Sequence, residues 1–357
     1  MKDRIQDANF PKTEDGRVYH LGIRAGEVAN RIITVGSMSR AESIAKMLDA
    51  SPKLFSLYSE RGFLTITGCY KSVPVSIVCI GMGAPNADFF IREVRECLRG
   101  DMLVIRLGSC GCLTDLPVGS LVLPASSVAC TRNVDFDFAS CDPWEVPYRL
   151  SKPVSADPDL HRALYDALEA TRPPSLKTLV VSNAVNASTD SFYSSQGRQT
   201  SFQDHNASLI DHLKAAVSGL TTLEMETFWI FHLAASWRGV KQSSSAVNPP
   251  LATVPVVPAF SGIPNGISEK VEVALPSLDE NTSSRPVIRA AAAQMVFASR
   301  SSQAFITPDQ VNELERWSGQ GVLEALVRFD VAPERLHPVS GSVWSPIEPS
   351  KPLRALL

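Results

Sequence analysis

The chain has 357 residues, 44% of them apolar and 20% charged, enough for one large hydrophobic core or two smaller ones and too polar for a membrane protein. Its formal net charge of −3 supplies no basic footprint for nucleic acid. No apolar run nears the roughly 20 residues of a membrane span, and the N-terminal stretch MKDRIQDANFPKTEDG has no signal-peptide core. A cytoplasmic protein with neither nucleic-acid nor membrane partners is therefore expected. Seven cysteines (69, 79, 97, 110, 112, 130 and 141), an odd number without C-x-x-C blocks, read as reduced thiols.

Along the chain, apolar β-branched runs alternate with helical patterns, which predicts an α/β domain. RIITVG (31–36) reads as a strand, and SMSRAESIAKML as a helix capped by Ser37 or Ser39. VSIVCIGMGAP (75–85) reads as a strand and glycine turn leading into the helix NADFFIREVRECL. Its IGMGAP lacks the third glycine of a dinucleotide fingerprint, so a tight strand–turn–helix is preferred. MLVIRLGSCGCL (102–113) is a strand with Arg106 at its end, and GSLVLPASSVAC and SLKTLVVSNAVNA are two more. In open α/β sheets the loops leaving such strands gather ligands.

TTLEMETFWIFHLAA (221–235) carries Met225, Phe228, Trp229 and His232 at helical spacing, which predicts a helix starting near Thr221 or Thr222. On one helix, Glu224 and Glu226 would point roughly 200° apart. At least one then faces inward, where a carboxylate needs donors such as sugar hydroxyls or a buried arginine. Residues 240–285, dense in Pro, Ser and Gly, read as an insertion. PVIRAAAAQMVFASR reads as a buried strand, and TPDQVNELERWSGQGVLEALVRFDV as a helix capped by Thr307 with Pro308 at its first position. The expected organisation is an N-terminal segment (1–17), a domain (18–330) containing the 240–285 insertion, and a C-terminal tail (331–357).

Two stretches suit an anion. VGSMSR (35–40) puts Gly36, backbone amides and Arg40 at a strand-to-helix junction, though it is not a P-loop. IRLGSCG (105–111) adds Arg106 and the Ser109 hydroxyl. Cys110 and Cys112 have no matching Cys or His blocks, so packing is preferred to a metal site or a nucleophile.

VYHLGI (18–23), VGSMSR, IRLGSCG, STDSFYSSQGR (188–198) and LEMET (223–227) occur in the order and rough spacing of the uridine phosphorylases, within the nucleoside phosphorylase-I family. The resemblance spans Val18 to Phe329 apart from the insertion. The E-M-E element is shared with purine phosphorylases and nucleosidases, whereas F-Y-x-x-Q-x-R resembles the uracil-binding segment of uridine phosphorylases. The resemblance implies a single-domain three-layer α/β/α fold around a mixed, partly barrel-like central sheet. It also implies phosphorolysis of uridine (or deoxyuridine) to uracil and (deoxy)ribose 1-phosphate in pyrimidine salvage. Phosphate is then a co-substrate, no cofactor is needed, and a homodimer is the minimal unit.

By motif position, the resemblance assigns phosphate to Gly36, Arg40, Arg61, Arg106 and Ser109. Ribose goes to His20, Glu224, Met225 and Glu226, with His20 and Arg61 reaching in from the neighbouring subunit. Uracil goes to Gly111, Phe192, Gln196, Arg198, Phe297, Ala298 and Arg300. Arg106, Glu226 and Arg198 are the expected catalytic residues. Three positions depart from the bacterial pattern: Ser37 for aspartate, Ser109 for threonine, and Gly62 for a glutamate that helps hold a cation between subunits. No metal site is expected. The alternatives are a hydrolytic nucleosidase or purine-type phosphorylase of the same fold, and a non-catalytic nucleoside-binding protein.

Overall fold

Apolar runs rich in β-branched residues or alanine form the main strands of this computed structural model, which describes residues 4–140, 145–238 and 285–345. In chain order the elements are β1 (Ile5–Gln6), β2 (Lys12–Thr13), β3 (Arg31–Val35), α1 (Met38–Ala45), β4 (Phe55–Tyr58), β5 (Leu64–Tyr70) and β6 (Val73–Cys79). Next come α2 (Ala84–Cys97), β7 (Met102–Cys112), β8 (Leu121–Arg132), β9 (Tyr148–Leu150), β10 (Val154–Ser155), α3 (Pro158–Thr171) and β11 (Val180–Thr189). The last are α4 (Leu209–Ala216), β12 (Leu220–Glu224), α5 (Thr227–Ser236), β13 (Ile288–Ser299) and α6 (Pro308–Arg328).

The main sheet is mixed and runs β10-β8-β11-β12-β7-β3-β6-β5-β4. β13 pairs in parallel with β7 and antiparallel with β8, so β8, β11, β12, β7 and β13 close into a five-stranded ring. Closure leaves these five strands no unpaired edge within the ring. Outside it the sheet is two-faced, because successive side chains on a strand point to opposite sides. Ile33, Leu103 and Ile105 pack with α1, α3 and α6. Ile32, Met102 and Val104 pack with α2 and α5 on the other side. The three-layer expectation holds on this alternation.

Several predicted elements appear as read. α6 starts with a capping box in which Thr307 and Gln310 satisfy each other's backbone amides, with Pro308 at the first position. Ser37 is the N-cap of α1, although its side chain makes no capping hydrogen bond. Cys69, Cys79, Cys97, Cys110, Cys112 and Cys130 are buried and unpaired, and no helix among the described residues is long and apolar enough to cross a membrane.

Three readings need correction. The helix expected from Thr221 or Thr222 begins at Thr227, because residues 220–224 form β12 between β11 and β7. Here strand pairing overrides a local helical period. Arg106 lies in mid-strand rather than at a strand end: β3 stops pairing β7 at Arg106, but β13 carries β7 on to Cys112. The segment 331–345, expected in the tail, packs on the domain. Arg335 makes a forked ion pair with Asp101, the His337 amide donates to Asn30 Oδ1, and Trp344 is buried against Ala29 and Cys69. The expected insertion falls, apart from Arg285, outside the described residues, as do Cys141 and residues 346–357.

Candidate active site

Arg106 and Glu226 form the centre of the site. Arg106 projects from β7, and its Nη2 donates to Glu226 Oε2 at 2.7 Å with both side chains about 95% buried. The other carboxylate oxygen, Oε1, accepts from the Gly83 amide at 2.7 Å. Gly83 is the N-cap of α2, so Glu226 sits at the positive end of that helix. Its φ of +95° suits glycine, and no side-chain pattern could have marked this backbone donor in advance. Two further glycines leave room for the guanidinium: a Cβ on Gly36 would lie 3.4 Å from Arg106 Nη2, and one on Gly108 3.4 Å from Nε.

Arg106 Nε and Nη1 are buried and have no hydrogen-bond partner among the described residues. Leaving a buried donor unmade costs about 1–3 kcal/mol, and more for a charged group. Such a cost is tolerated where a ligand completes the bonding, and charged guanidinium N–H donors suit the oxygens of an oxyanion. Arg40 is the nearby second cation. Its Nε donates to Glu315 Oε1 at 2.7 Å and its Nη1 to the Leu107 carbonyl at 3.3 Å, and its guanidinium stands 5.7 Å from the centre of the Phe297 ring. Burial pushes the Arg40 guanidinium down, and Glu315 opposes the shift. Glu315, 275 residues along the chain, has no signature in the sequence around Arg40.

Glu224 has a different environment from the one expected. Its Oε1 accepts from Asn186 Nδ2 at 2.7 Å and from Ser188 Oγ, and its Oε2 from the amides of Glu226 and Thr227 at 2.8 and 2.9 Å. The carboxylate thus caps the start of α5 and holds the 224–227 corner, with all four donors coming from the protein. Burial first, then the neighbouring Glu226, pushes its pKa up, while Ser188, Arg106 and the backbone draw it down. Both carboxylates are buried, and within the protein Arg106 serves Glu226 while Glu224 takes amide and hydroxyl donors. Met225 between them is half-buried.

A second cluster follows β11. Gln196 is buried, its Nε2 donates to Thr189 Oγ1 at 2.9 Å, and its Oε1 accepts from Arg198 Nη1. Thr189 Oγ1 in turn donates to the Glu224 carbonyl at 3.2 Å, which ties this cluster to the E-M-E corner. Arg198 lies over the Phe192 ring at 3.8 Å and donates to the Phe192 carbonyl at 2.7 Å. Arg300 donates to the Gln196 carbonyl at 2.9 Å, and its stem faces Gly111, whose added Cβ would lie 4.0 Å from Cγ. Burial, then the Arg300 charge, brings the Arg198 guanidinium down to about 10, so it stays protonated at neutral pH. Ser109 and Ala298 are half-buried, and Phe297 touches Arg40.

His20 and Arg61 stand together and apart from these hydrogen-bond networks. Arg61 Nη2 donates to Tyr19 Oη at 2.5 Å and its guanidinium lies 5.0 Å over the Tyr19 ring. His20 meets Tyr19 edge-on and bonds Glu93. Neither makes a hydrogen bond to Arg106, Glu226, Gln196 or Arg198 within the chain.

The family model of the Phosphorylase superfamily matches residues 30–241. A uridine phosphorylase of Thermococcus kodakarensis is 29% identical over 238 residues, 66% of this chain and 78% of that protein. A DeoD-type purine nucleoside phosphorylase of Brevibacillus brevis is 28% identical over 225 residues, 61% of this chain and 81% of that protein. A solved structure from work on two diverse uridine phosphorylases of the oomycete Phytophthora capsici is 34% identical with a TM-score of 0.74, covering 92% of this chain and 100% of that chain. A Trypanosoma brucei nucleoside phosphorylase, 20% identical with a TM-score of 0.64 over 90% of this chain and 100% of that one, shares the fold. Matched by the family model over more than half its length, and 34% identical to a solved relative across 92% of it, this chain belongs to the phosphorylase superfamily as a nucleoside phosphorylase.

Proposed function

We propose that the chain catalyses reversible phosphorolysis of uridine to uracil and ribose 1-phosphate, as a cytoplasmic pyrimidine-salvage enzyme that needs no cofactor or metal. The observation that carries this reading is the pair of unpartnered buried donors on Arg106 beside Glu226. A phosphate oxygen forms a bond to C1′ of the ribose as the C1′–N1 bond breaks. The bonding pair leaves on uracil, spread over O2 and O4, and the ring gains at N1 the proton that hydrogen phosphate gives up. Arg106, Arg40, Ser109 and the Gly36 amide hold the anion beneath a sugar that becomes cationic, and positioning of this kind is a large part of such catalysis. Glu226 and the Met225 backbone face the ribose. Glu224 acts through its hold on the 224–227 corner.

At the base end, Gln196 has one amide N–H and one carbonyl lone pair unused by the described residues, which matches uracil O2 and N3–H. Arg198 stabilises the charge arriving at O4, and Phe192 offers an aromatic face. The relatives named as uridine phosphorylases favour this base, while the DeoD-type relative keeps purines in view. The test supplies uridine with and without phosphate. Uracil and ribose 1-phosphate are expected only with phosphate; equal turnover without it, yielding free ribose, would mean a hydrolytic nucleosidase. Inosine, adenosine and cytidine are expected to be poor substrates, since mismatches leave buried polar groups unpaired. Preference for inosine would assign a purine-type enzyme, and no turnover of any nucleoside a binding protein.

The assembly reading is a homodimer whose pockets take His20 and Arg61 from the neighbour, supported by the separation of these residues from the Arg106 network. Arg61→Ala and Arg106→Ala are each expected to be nearly inactive. In a mixed dimer one pocket is intact and the other lacks both arginines. Random co-refolding makes about half the dimers mixed, so activity should recover to roughly one quarter of wild type in a closed two-fold assembly. Demonstrated mixed dimers with no recovery would place Arg61 in its own chain's site or outside any site.

A further inference from the structure

Glu93 is a buried carboxylate on α2 that no step above uses. It takes the His20 amide on both oxygens (3.0 and 3.1 Å), the Leu21 amide at 2.8 Å, and His20 Nδ1 at 2.6 Å. One turn earlier on the same helix face, Phe89 stacks on the His20 ring with centroids 3.7 Å apart and planes 14° off parallel. The ring is therefore held in position, in plane and in rotation. A carboxylate at Nδ1 selects the form protonated there, which leaves Nε2 as the acceptor of the neutral ring. His20 remains about one quarter exposed, so Nε2 is available to a group from outside the chain.

The geometry points to Glu93 as the positioning residue that fixes His20 with Nε2 presented as acceptor to the ribose 5′-hydroxyl in the neighbouring protomer's pocket. This rests on the uridine-phosphorylase reading above. The same helix also supplies, at its start, the Gly83 amide that holds Glu226. One element therefore carries the supports of a residue used in this chain's pocket and of a residue offered to the other.

Glu93→Gln keeps the shape but puts an NH2 where one oxygen accepted amide protons, so the His20 loop and ring lose their fixed orientation. With uridine, KM is expected to rise about 10-fold while kcat changes less than about 3-fold, the effect of one weakened charge-assisted bond. With 5′-deoxyuridine, which lacks the hydroxyl, Glu93→Gln and wild type should have equal kcat/KM. His20→Ala/Glu93→Gln should be no worse than His20→Ala. Equal losses on both substrates would show a merely structural role, and no loss on either would show no role; either overturns the proposal.

A second readout is independent of turnover. The chain has six histidines, so the His20 ring nitrogens are assigned in long-range 1H–15N spectra by their disappearance in His20→Ala. The neutral His20 ring of the wild-type protein is expected as the Nδ1–H form, with mixed forms in Glu93→Gln. A wild-type ring protonated at Nε2 instead would overturn the assignment even if the enzyme proves to use another nucleoside. Absence of uridine phosphorolysis in the wild type would instead sink the underlying reading and leave the spectra to judge Glu93's hold on the ring.

Discussion

Arg106→Gln is expected to lower kcat/KM for uridine phosphorolysis by about 10³-fold, near the upper end for loss of one preorganised donor group. Two effects act together. The anion loses the two buried N–H donors that nothing else in the described chain engages, and Glu226 keeps only the Gly83 amide on a carboxylate about 95% buried. Breaking a buried pair by removing one partner costs about 3–5 kcal/mol, so the thermal midpoint should fall as well. Arg106→Lys separates the two effects. It restores a charge near Glu226 but not the Nε and Nη1 donors, so it should recover more stability than activity. Initial rates over a range of phosphate concentrations, read beside thermal melts, check this. A variant within tenfold of wild type would remove Arg106 from the phosphate site.

Arg198→Leu is expected to cost at least roughly 10²-fold in turnover, with KM for phosphate little changed. Arg198 lies 3.8 Å over Phe192 and bonds the Gln196 amide, and among the described residues it makes no hydrogen bond to Arg106 or Glu226. Its charge matters most once the glycosidic bond is breaking and electrons reach the base, so the loss belongs in kcat. Leucine keeps packing against Phe192 while removing that charge, and the Arg300 bonds to the 196–197 backbone still hold the loop. Steady-state kinetics with each substrate varied in turn provide the measurement, and unchanged turnover would move the base site elsewhere.

Periodicity and turn chemistry act over a few residues, so the sequence alone determined much of the layout. β3, β6, β7, β8, β11 and β13, the glycine turn into α2 and the capped start of α6 all follow from patterns within a dozen neighbours. The residue types around Arg106, Glu226, Gln196 and Arg198 were legible in the same way, as short motifs in order. What failed was the stretch around Glu224, where a helical period of aromatic residues ran back into β12. Only pairing with β11 and β7 makes that segment a strand, and no local pattern contains those partners.

The bonds that complete the site belong to tertiary structure for the same reason. Ser188 faces Glu224 because β11 and β12 run parallel in that register, 36 residues apart. Gly83 reaches Glu226 across 143 residues as a backbone amide with no side-chain signature, and Arg40 meets Glu315 only because α6 packs over α1. Arg106 was legible as an arginine near an anion site. That it would be buried, paired once and left with two unpartnered donors depended on a ring closed by β13, whose pairing with β7 and β8 is set by long-range register rather than by anything adjacent to it in the chain.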